Sequence, residues 1–319
     1  MKRTVIIALS LILCISFLTG CTKKNDDLIK IGIVQIIEHP SLDTIRDSFI
    51  AALASYGYID GQNITIDYQS AQGDQSNLNS ICNKFVGDNV DLIVAIATPT
   101  AQAAVSATST IPVLFSAVTD PVAANLVIDP NYPEANVTGT SDAIPVDEVF
   151  ALCKELTPNV KKFGFLYTAS EVNSKSVVDT AKELCAIYGF EYEEMTITST
   201  SELQQAATTL AGRVDAIYTP IDNTIASAMP TLANVCINAN IPVYVGADSM
   251  VVDGGYATVG INYSTLGEET AQMAILILEG TPIGDIPVRT LNVFDKVINK
   301  TTADAIGATA DSYGAIIVE

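Results

Sequence analysis

Short apolar runs alternate with stretches of helical period along most of the chain. Ile31 to Ile36 reads as a strand, and Leu42 to Tyr56, with apolar residues at 42, 45, 49, 50 and 53, reads as an amphipathic helix. Ile64 to Tyr68, Leu92 to Ala97 and Pro112 to Ala117 continue the strand series, with a helix around Leu78 to Val86. This rhythm predicts a parallel sheet covered by helices on both faces.

The rhythm restarts near Phe163. Strands are expected at Phe163 to Tyr167, Glu191 to Ile197, Ala216 to Thr219 and Val243 to Gly246, alternating with helices near 174–188, 202–212 and 223–239. A weak internal repeat supports two related lobes: Val90-Asp91-Leu92-Ile93 resembles Val214-Asp215-Ala216-Ile217, and Ile111-Pro112-Val113 resembles Ile241-Pro242-Val243. That register sets Thr98 opposite Asp222 and Val118 opposite Asp248. The expected fold class is therefore α/β, with two Rossmann-like lobes built on parallel sheets and facing each other across a cleft.

The first twenty residues stand apart from this pattern. Lys2 and Arg3 precede an apolar run from Thr4 to Leu18, the layout of a secretory signal. Leu18-Thr19-Gly20-Cys21 resembles a bacterial lipobox, which predicts cleavage before Cys21 and lipidation of that cysteine. Residues 21–29 then read as a polar tether. The mature chain would face the extracytoplasmic side, anchored to the bacterial cell membrane by lipid rather than by a helix. Of the remaining cysteines, Cys82, Cys153, Cys185 and Cys236 fall in apolar helical segments without metal-binding spacing, so buried thiols are the favoured reading, with disulfides left open.

Charge narrows the function classes. The 319 residues hold 36 acidic and 16 basic side chains, one histidine and no tryptophan, a net charge of −20 that becomes −22 once Lys2 and Arg3 leave with the signal. Such a balance opposes nucleic-acid binding. One histidine does not build a two-histidine metal site, and no nucleophile elbow, HExxH or phosphate-cradling GxxxxGK[ST] segment occurs. No catalytic residue, metal or cofactor is expected.

Ligands of open α/β sheets bind beyond the carboxyl ends of the strands. In the first lobe those positions hold Glu38, His39, Thr98, Pro99, Thr100, Ala117, Val118, Thr119 and Asp120; in the second, Tyr167, Ser170, Glu171, Asn173, Ser174, Asp222, Asn223 and Asp248. Ser141, Asp142 and Asn262 lie at expected crossings between lobes. Hydroxyls and helix N-terminal amides hold a carboxylate, and aspartates pair with an ammonium, so a zwitterion such as an α-amino acid fits the set. Tyr167, Tyr218, Tyr244 and Phe115 offer aromatic surface. Each feature also has a plain structural explanation: Thr98-Pro99-Thr100 as a helix start, Asp120-Pro121 as a turn, Asp222 and Asp248 as caps, the tyrosines as core, and His39 as a surface loop residue.

Several longer segments carry a family resemblance. Ile33-Val34-Gln35-Ile36 with Glu38-His39-Pro40, Ala97-Thr98-Pro99-Thr100-Ala101-Gln102, Val118-Thr119-Asp120-Pro121-Val122-Ala123, Gly139-Thr140-Ser141-Asp142, Ser170-Glu171-Val172-Asn173-Ser174, Asp222-Asn223-Thr224, Gly246-Ala247-Asp248-Ser249-Met250-Val251 and Gly255-Tyr256-Ala257-Thr258-Val259-Gly260-Ile261 resemble substrate-binding lipoproteins of ABC importers associated with aromatic amino acids. The resemblance implies a type I periplasmic-binding-protein fold whose chain crosses the hinge three times. Lobe one would comprise 30–141 with 262–290, and lobe two 142–261 with 291–319. It further implies that Thr98, Thr100 and Thr119 receive a carboxylate and that Asp142, Asp222 and Asp248 compete for the ammonium, while Tyr167 and the Ser170 to Ser174 loop close over the ligand. A permease and an ATPase subunit would be the partners. A nucleoside or sugar receptor, or a ligand-sensing signalling lipoprotein, remains an alternative.

Overall fold

A computed structural model describes residues 28–319, so Cys21 and the signal segment lie outside the described residues. The first sheet takes strands β1 (Ile29–Gln35), β2 (Ile64–Ser70), β3 (Leu92–Ile96), β4 (Val113–Ser116) and β5 (Val137–Ser141), and later gains β11 (Arg289–Thr290). Its spatial order is β11-β5-β4-β3-β1-β2, and every pairing is parallel. β3 is buried along its whole length, which explains its unbroken apolar sequence.

The second sheet repeats the plan with β6 (Lys162–Thr168), β7 (Glu191–Ile197), β8 (Ala216–Thr219), β9 (Val243–Val245) and β10 (Ala257–Gly260). Two later strands, β12 (Asp295–Asn299) and β13 (Ile316–Val318), extend it, giving the order β13-β12-β10-β9-β8-β6-β7. Only the β10–β12 pairing is antiparallel. The first five strands of each sheet thus share one winding order. The sequence repeat has a matching physical role in both: Asp91 accepts the Lys30 amide at 2.8 Å, and Asp215 accepts the Lys162 amide at 2.9 Å. Each aspartate pins the start of the neighbouring strand.

Helices cover both faces. In the first lobe these are α1 (Pro40–Ser55), α2 (Gln75–Gly87) and α3 (Thr98–Ala107); in the second, α4 (Val146–Leu156), α5 (Val172–Tyr188), α6 (Thr200–Ala211), α7 (Asn223–Ala226), α8 (Met229–Ala239) and α9 (Asp248–Val252). The single helix expected over 223–239 is two helices, because Pro230 in the first turn of α8 suits a new start rather than a continuation. After β10 the chain returns to the first sheet as α10 (Tyr263–Leu278), which packs along α1, before β11 and the return to β12 and α11 (Lys300–Ile306). Cys82, Cys153, Cys185 and Cys236 are free and buried, and burial pushes their thiols well above the ordinary range.

The second lobe has an aromatic core. Phe150 stacks on Phe163 at 5.0 Å between ring centres, with Phe190 and Tyr218 edge-on to Phe150 and Tyr244 edge-on to Phe163. The α1–α10 contact depends instead on a small residue. A β-carbon at Gly267 would stand 2.6 Å from the Ile45 carbonyl oxygen and 3.0 Å from Ser48 Cβ. Gly267→Val should therefore lower unfolding free energy by about 1–3 kcal/mol, as overpacking does. A guanidinium titration with an unchanged midpoint would refute this account of the helix contact.

Candidate functional site

The carboxyl ends of the two sheets meet across a seam bridged by side chains. His39, after β1, sets Nε2 3.3 Å from Oδ1 of Asn223, which follows β8. Ser41 and Ser249 hydroxyls lie 2.5 Å apart, and Ser176 on α5 donates to Asp120 at 2.7 Å. Every one of these bonds joins the first lobe to the second, so the lobes stand closed on each other.

Most of the buried side-chain polar atoms without a protein partner among the described residues, the Tyr218 and Ser312 hydroxyls apart, gather along the same seam. They include His39 Nδ1, the hydroxyls of Thr98 and Thr100, Asn173 Oδ1, the Thr219 hydroxyl and the Tyr263 hydroxyl. A buried polar atom left unpaired is costly, and such atoms are few in ordinary interiors. Thr98 is the first residue of α3, as a helix start requires, but Ala97 holds the cap position and the Thr98 hydroxyl makes no cap bond. Local backbone strain marks the same loops. Ala97 holds φ +81° with ψ 157°, and Ala117 holds φ +55°, conformations suited to glycine. Strain of this kind costs about 1–3 kcal/mol and gathers at ligand clamps.

Charge at the seam is one-sided. Among the described residues no lysine or arginine forms an ion pair with Asp142, Glu171, Asp222 or Asp248. Asp142 is buried, and burial pushes its carboxyl up to about 6 against the Thr119 hydroxyl, which donates to it at 2.8 Å. Asp248 is partly buried, and burial raises its carboxyl too. Tyr263 stands beside Asp142 and Asp248, and burial first, then those carboxylates, keep its phenol protonated. The His39 ring is neutral, because burial pushes it down to about 4 despite the opposing pull of Asn223.

Glu171 and Asp222 form the scaffold behind this surface. Glu171 accepts from the backbone and side chain of Asn223 (2.9 and 2.6 Å), from the backbone and side chain of Thr224 (both 2.9 Å), and from Asn173 at 3.2 Å. Asp222 accepts from the Thr168 amide and hydroxyl, the Ser174 hydroxyl and the Ile225 amide, all within 2.7–2.9 Å. Burial raises both carboxyls, and the donors oppose it. With four donors already in place, Asp222 is a helix cap and not the free ammonium partner expected of it.

Other expected site residues are placed elsewhere. Glu38 is exposed and meets the Tyr68 hydroxyl at 3.3 Å. Ser170 is exposed, and Asn262 is an exposed cap that accepts the Thr265 amide at 3.0 Å. Pro99 opens α3, Val118 donates its amide to the Thr140 carbonyl, and Ser141 donates to the Thr119 carbonyl at 3.1 Å. The aromatic surface expected in the cleft is absent from it: Tyr167 donates to Glu194, Tyr244 pairs with Thr157 at 2.8 Å, Tyr218 packs in the aromatic core and Phe115 is fully buried in the first lobe. Tyr263, Thr219, Ser41 and Ser176 were not expected. For Thr219 the signal was its place at the last position of a strand, and for Tyr263 its place beside the crossing at Asn262.

Known proteins share this architecture. The family profile described as ABC transporter substrate binding protein matches residues 30–313. A tyrosine-binding protein of Clostridioides difficile is 43% identical over 318 residues, 96% of this chain and 92% of that one. An ABC domain from Streptococcus pneumoniae solved in complex with L-Trp is 41% identical, with TM-score 0.88 over 92% of this chain and 100% of that one. A ligand-free, open substrate-binding protein with adhesive properties from Clostridium difficile is 43% identical over 92% of this chain and 99% of that one, but has TM-score 0.70. At equal coverage, the closed lobe arrangement seen here lies nearer the L-Trp complex than the open form. Sequence match, two-lobed type I periplasmic-binding-protein fold and seam together establish that the chain belongs to the ABC transporter substrate-binding protein family.

Proposed function

We propose that this chain captures an aromatic amino acid, tyrosine or tryptophan foremost, between its two lobes and delivers it to an ABC permease. The observation that carries this reading is the row of buried, unpartnered polar atoms contributed by both lobes beside carboxyls that lack a counter-cation. A zwitterion answers both needs. Its carboxylate suits the hydroxyls and amides of Thr98 and Thr100 at the start of α3, and the Thr119 loop. Its ammonium suits Asp142, which accepts from the Thr119 hydroxyl and stands beside the Tyr263 phenol with no cation paired to it among the described residues. The names of the similar tyrosine-binding and L-Trp-bound proteins support the aromatic class.

Ligand contacts with both lobes would favour the closed state over the open one, which is how binding drives hinge closure. The hinge would run through the three passages after β5, β10 and β11, with lobe one at 30–141 plus 262–290 and lobe two at 142–261 plus 291–319. The lipobox-like segment supports an extracytoplasmic, lipid-anchored location through Cys21. In cells, Cys21→Ala should move the protein from the membrane fraction to the soluble one; retention of fully processed protein on the membrane would disprove lipid anchoring.

Tyrosine or tryptophan should raise the melting temperature, since a ligand at a hundred times its Kd adds about 2.7 kcal/mol to stability. A shift with a nucleoside or sugar and with no amino acid would overturn the proposed ligand class. The pH dependence follows from Asp142. Its carboxyl is raised to about 6 without ligand, and an adjacent ammonium would lower it, so binding should release protons near pH 6 and weaken as pH falls to 5. Asp142→Asn should weaken affinity roughly tenfold or more and remove that part of the proton release, by analogy with losing a charge-assisted bond. Calorimetry in buffers of different ionisation enthalpy reads both quantities; wild-type-like values would exclude Asp142 as the ammonium partner.

A further inference from the structure

His39 has a defined hydrogen-bond polarity. Glu171 takes both the backbone amide and the side-chain NH2 of Asn223, at 2.9 and 2.6 Å, which turns the Asn223 carbonyl oxygen outward. That oxygen only accepts, so the ring nitrogen 3.3 Å away, His39 Nε2, must carry the proton. A neutral imidazole protonated at Nε2 has a lone pair on Nδ1. Nδ1 is buried, has no partner in the protein, and belongs to a ring lying in the seam between the lobes. The relay Glu171–Asn223–His39 therefore converts a buried carboxylate in one lobe into a fixed acceptor on the other.

The place of this acceptor separates it from Asp142, with Thr98 and Thr100 after β3 lying between them. His39 follows β1, whereas Asp142 follows β5, and β3 and β4 lie between them in the sheet. Three strand spacings amount to about 14 Å at the strand ends. The ammonium and the ring end of an extended aromatic amino acid can meet the two residues, once the inward-reaching side chains shorten the gap. Resting on the amino-acid reading above, we propose that His39 is the specificity-determining residue of the cleft, its Nδ1 accepting the phenol O–H of tyrosine or the indole N–H of tryptophan and selecting these over rings that lack a donor. Glu171 acts through Asn223 as a positioning residue.

Matched ligand pairs on the wild-type protein test this without any risk to folding. Calorimetry should find tyrosine bound at least about tenfold more tightly than 4-fluorophenylalanine or phenylalanine, or tryptophan so favoured over its benzothienyl isostere, since a buried acceptor left unpaired penalises the analogue. The pair that shows the preference identifies which donor is read. In His39→Leu, verified as folded by circular dichroism, the preference should collapse toward unity while phenylalanine still binds. Equal affinity within both pairs, or a preference that survives His39→Leu, overturns the role of His39 and leaves the amino-acid reading intact. Failure of every amino acid to bind the wild type overturns that reading and this one together.

Discussion

A polar group taken out of water needs a hydrogen-bond partner, and the seam between the two lobes is where this requirement governs the molecule. Parallel strands deliver loops and helix starts to one edge of each sheet, and here two such edges close on each other. Part of the exposed chemistry is satisfied across the seam by His39–Asn223, Ser41–Ser249 and Asp120–Ser176. The rest is held in readiness by strained backbone at Ala97 and Ala117 and by carboxyls without a cation. Closure and ligand recognition are thus two aspects of one demand for partners.

The carboxyls divide the work by how completely the protein satisfies them. Glu171 and Asp222 are saturated with donors and hold the loops of the second lobe rigid. Asp142 accepts from the Thr119 hydroxyl alone among the hydrogen bonds of good geometry in the described residues, and burial raises its carboxyl. Identical chemistry in sequence therefore becomes scaffold in one place and recognition surface in another. Rigid support behind an adaptable surface is what lets small side chains define a binding geometry.

Much of the architecture was legible from periodicity. Glu191–Ile197 and Ala216–Thr219 are strands with the bounds their alternation and apolar runs suggest, and the Val-Asp-x-Ile repeat marks equivalent strand starts in the two lobes. The break between α7 and α8 was missed because apolar period alone runs through it, although Pro230 carried the signal. The expected aromatic cleft failed for a geometric reason. Phe115, Tyr167, Tyr218 and Tyr244 lie within strands, where side chains stand perpendicular to the sheet and enter the helix layers. The residues that face the opposite lobe lie at the last strand position, as Thr219 does, or past the strand ends.

Local pattern by itself determined the alternation of strands and helices, the presence of two related lobes and the loops on which a site had to lie, since each depends on neighbours a few residues apart. Tertiary structure alone decided which polar atoms in those loops are used up and which remain free. Glu38, Ser170 and Asn262 turn to the surface, Asp222 is taken by four donors, and Tyr263 enters the seam unannounced. The reason is that a hydrogen-bond partner can come from anywhere in the chain: His39 meets an asparagine 184 positions away, and no local pattern encodes that encounter.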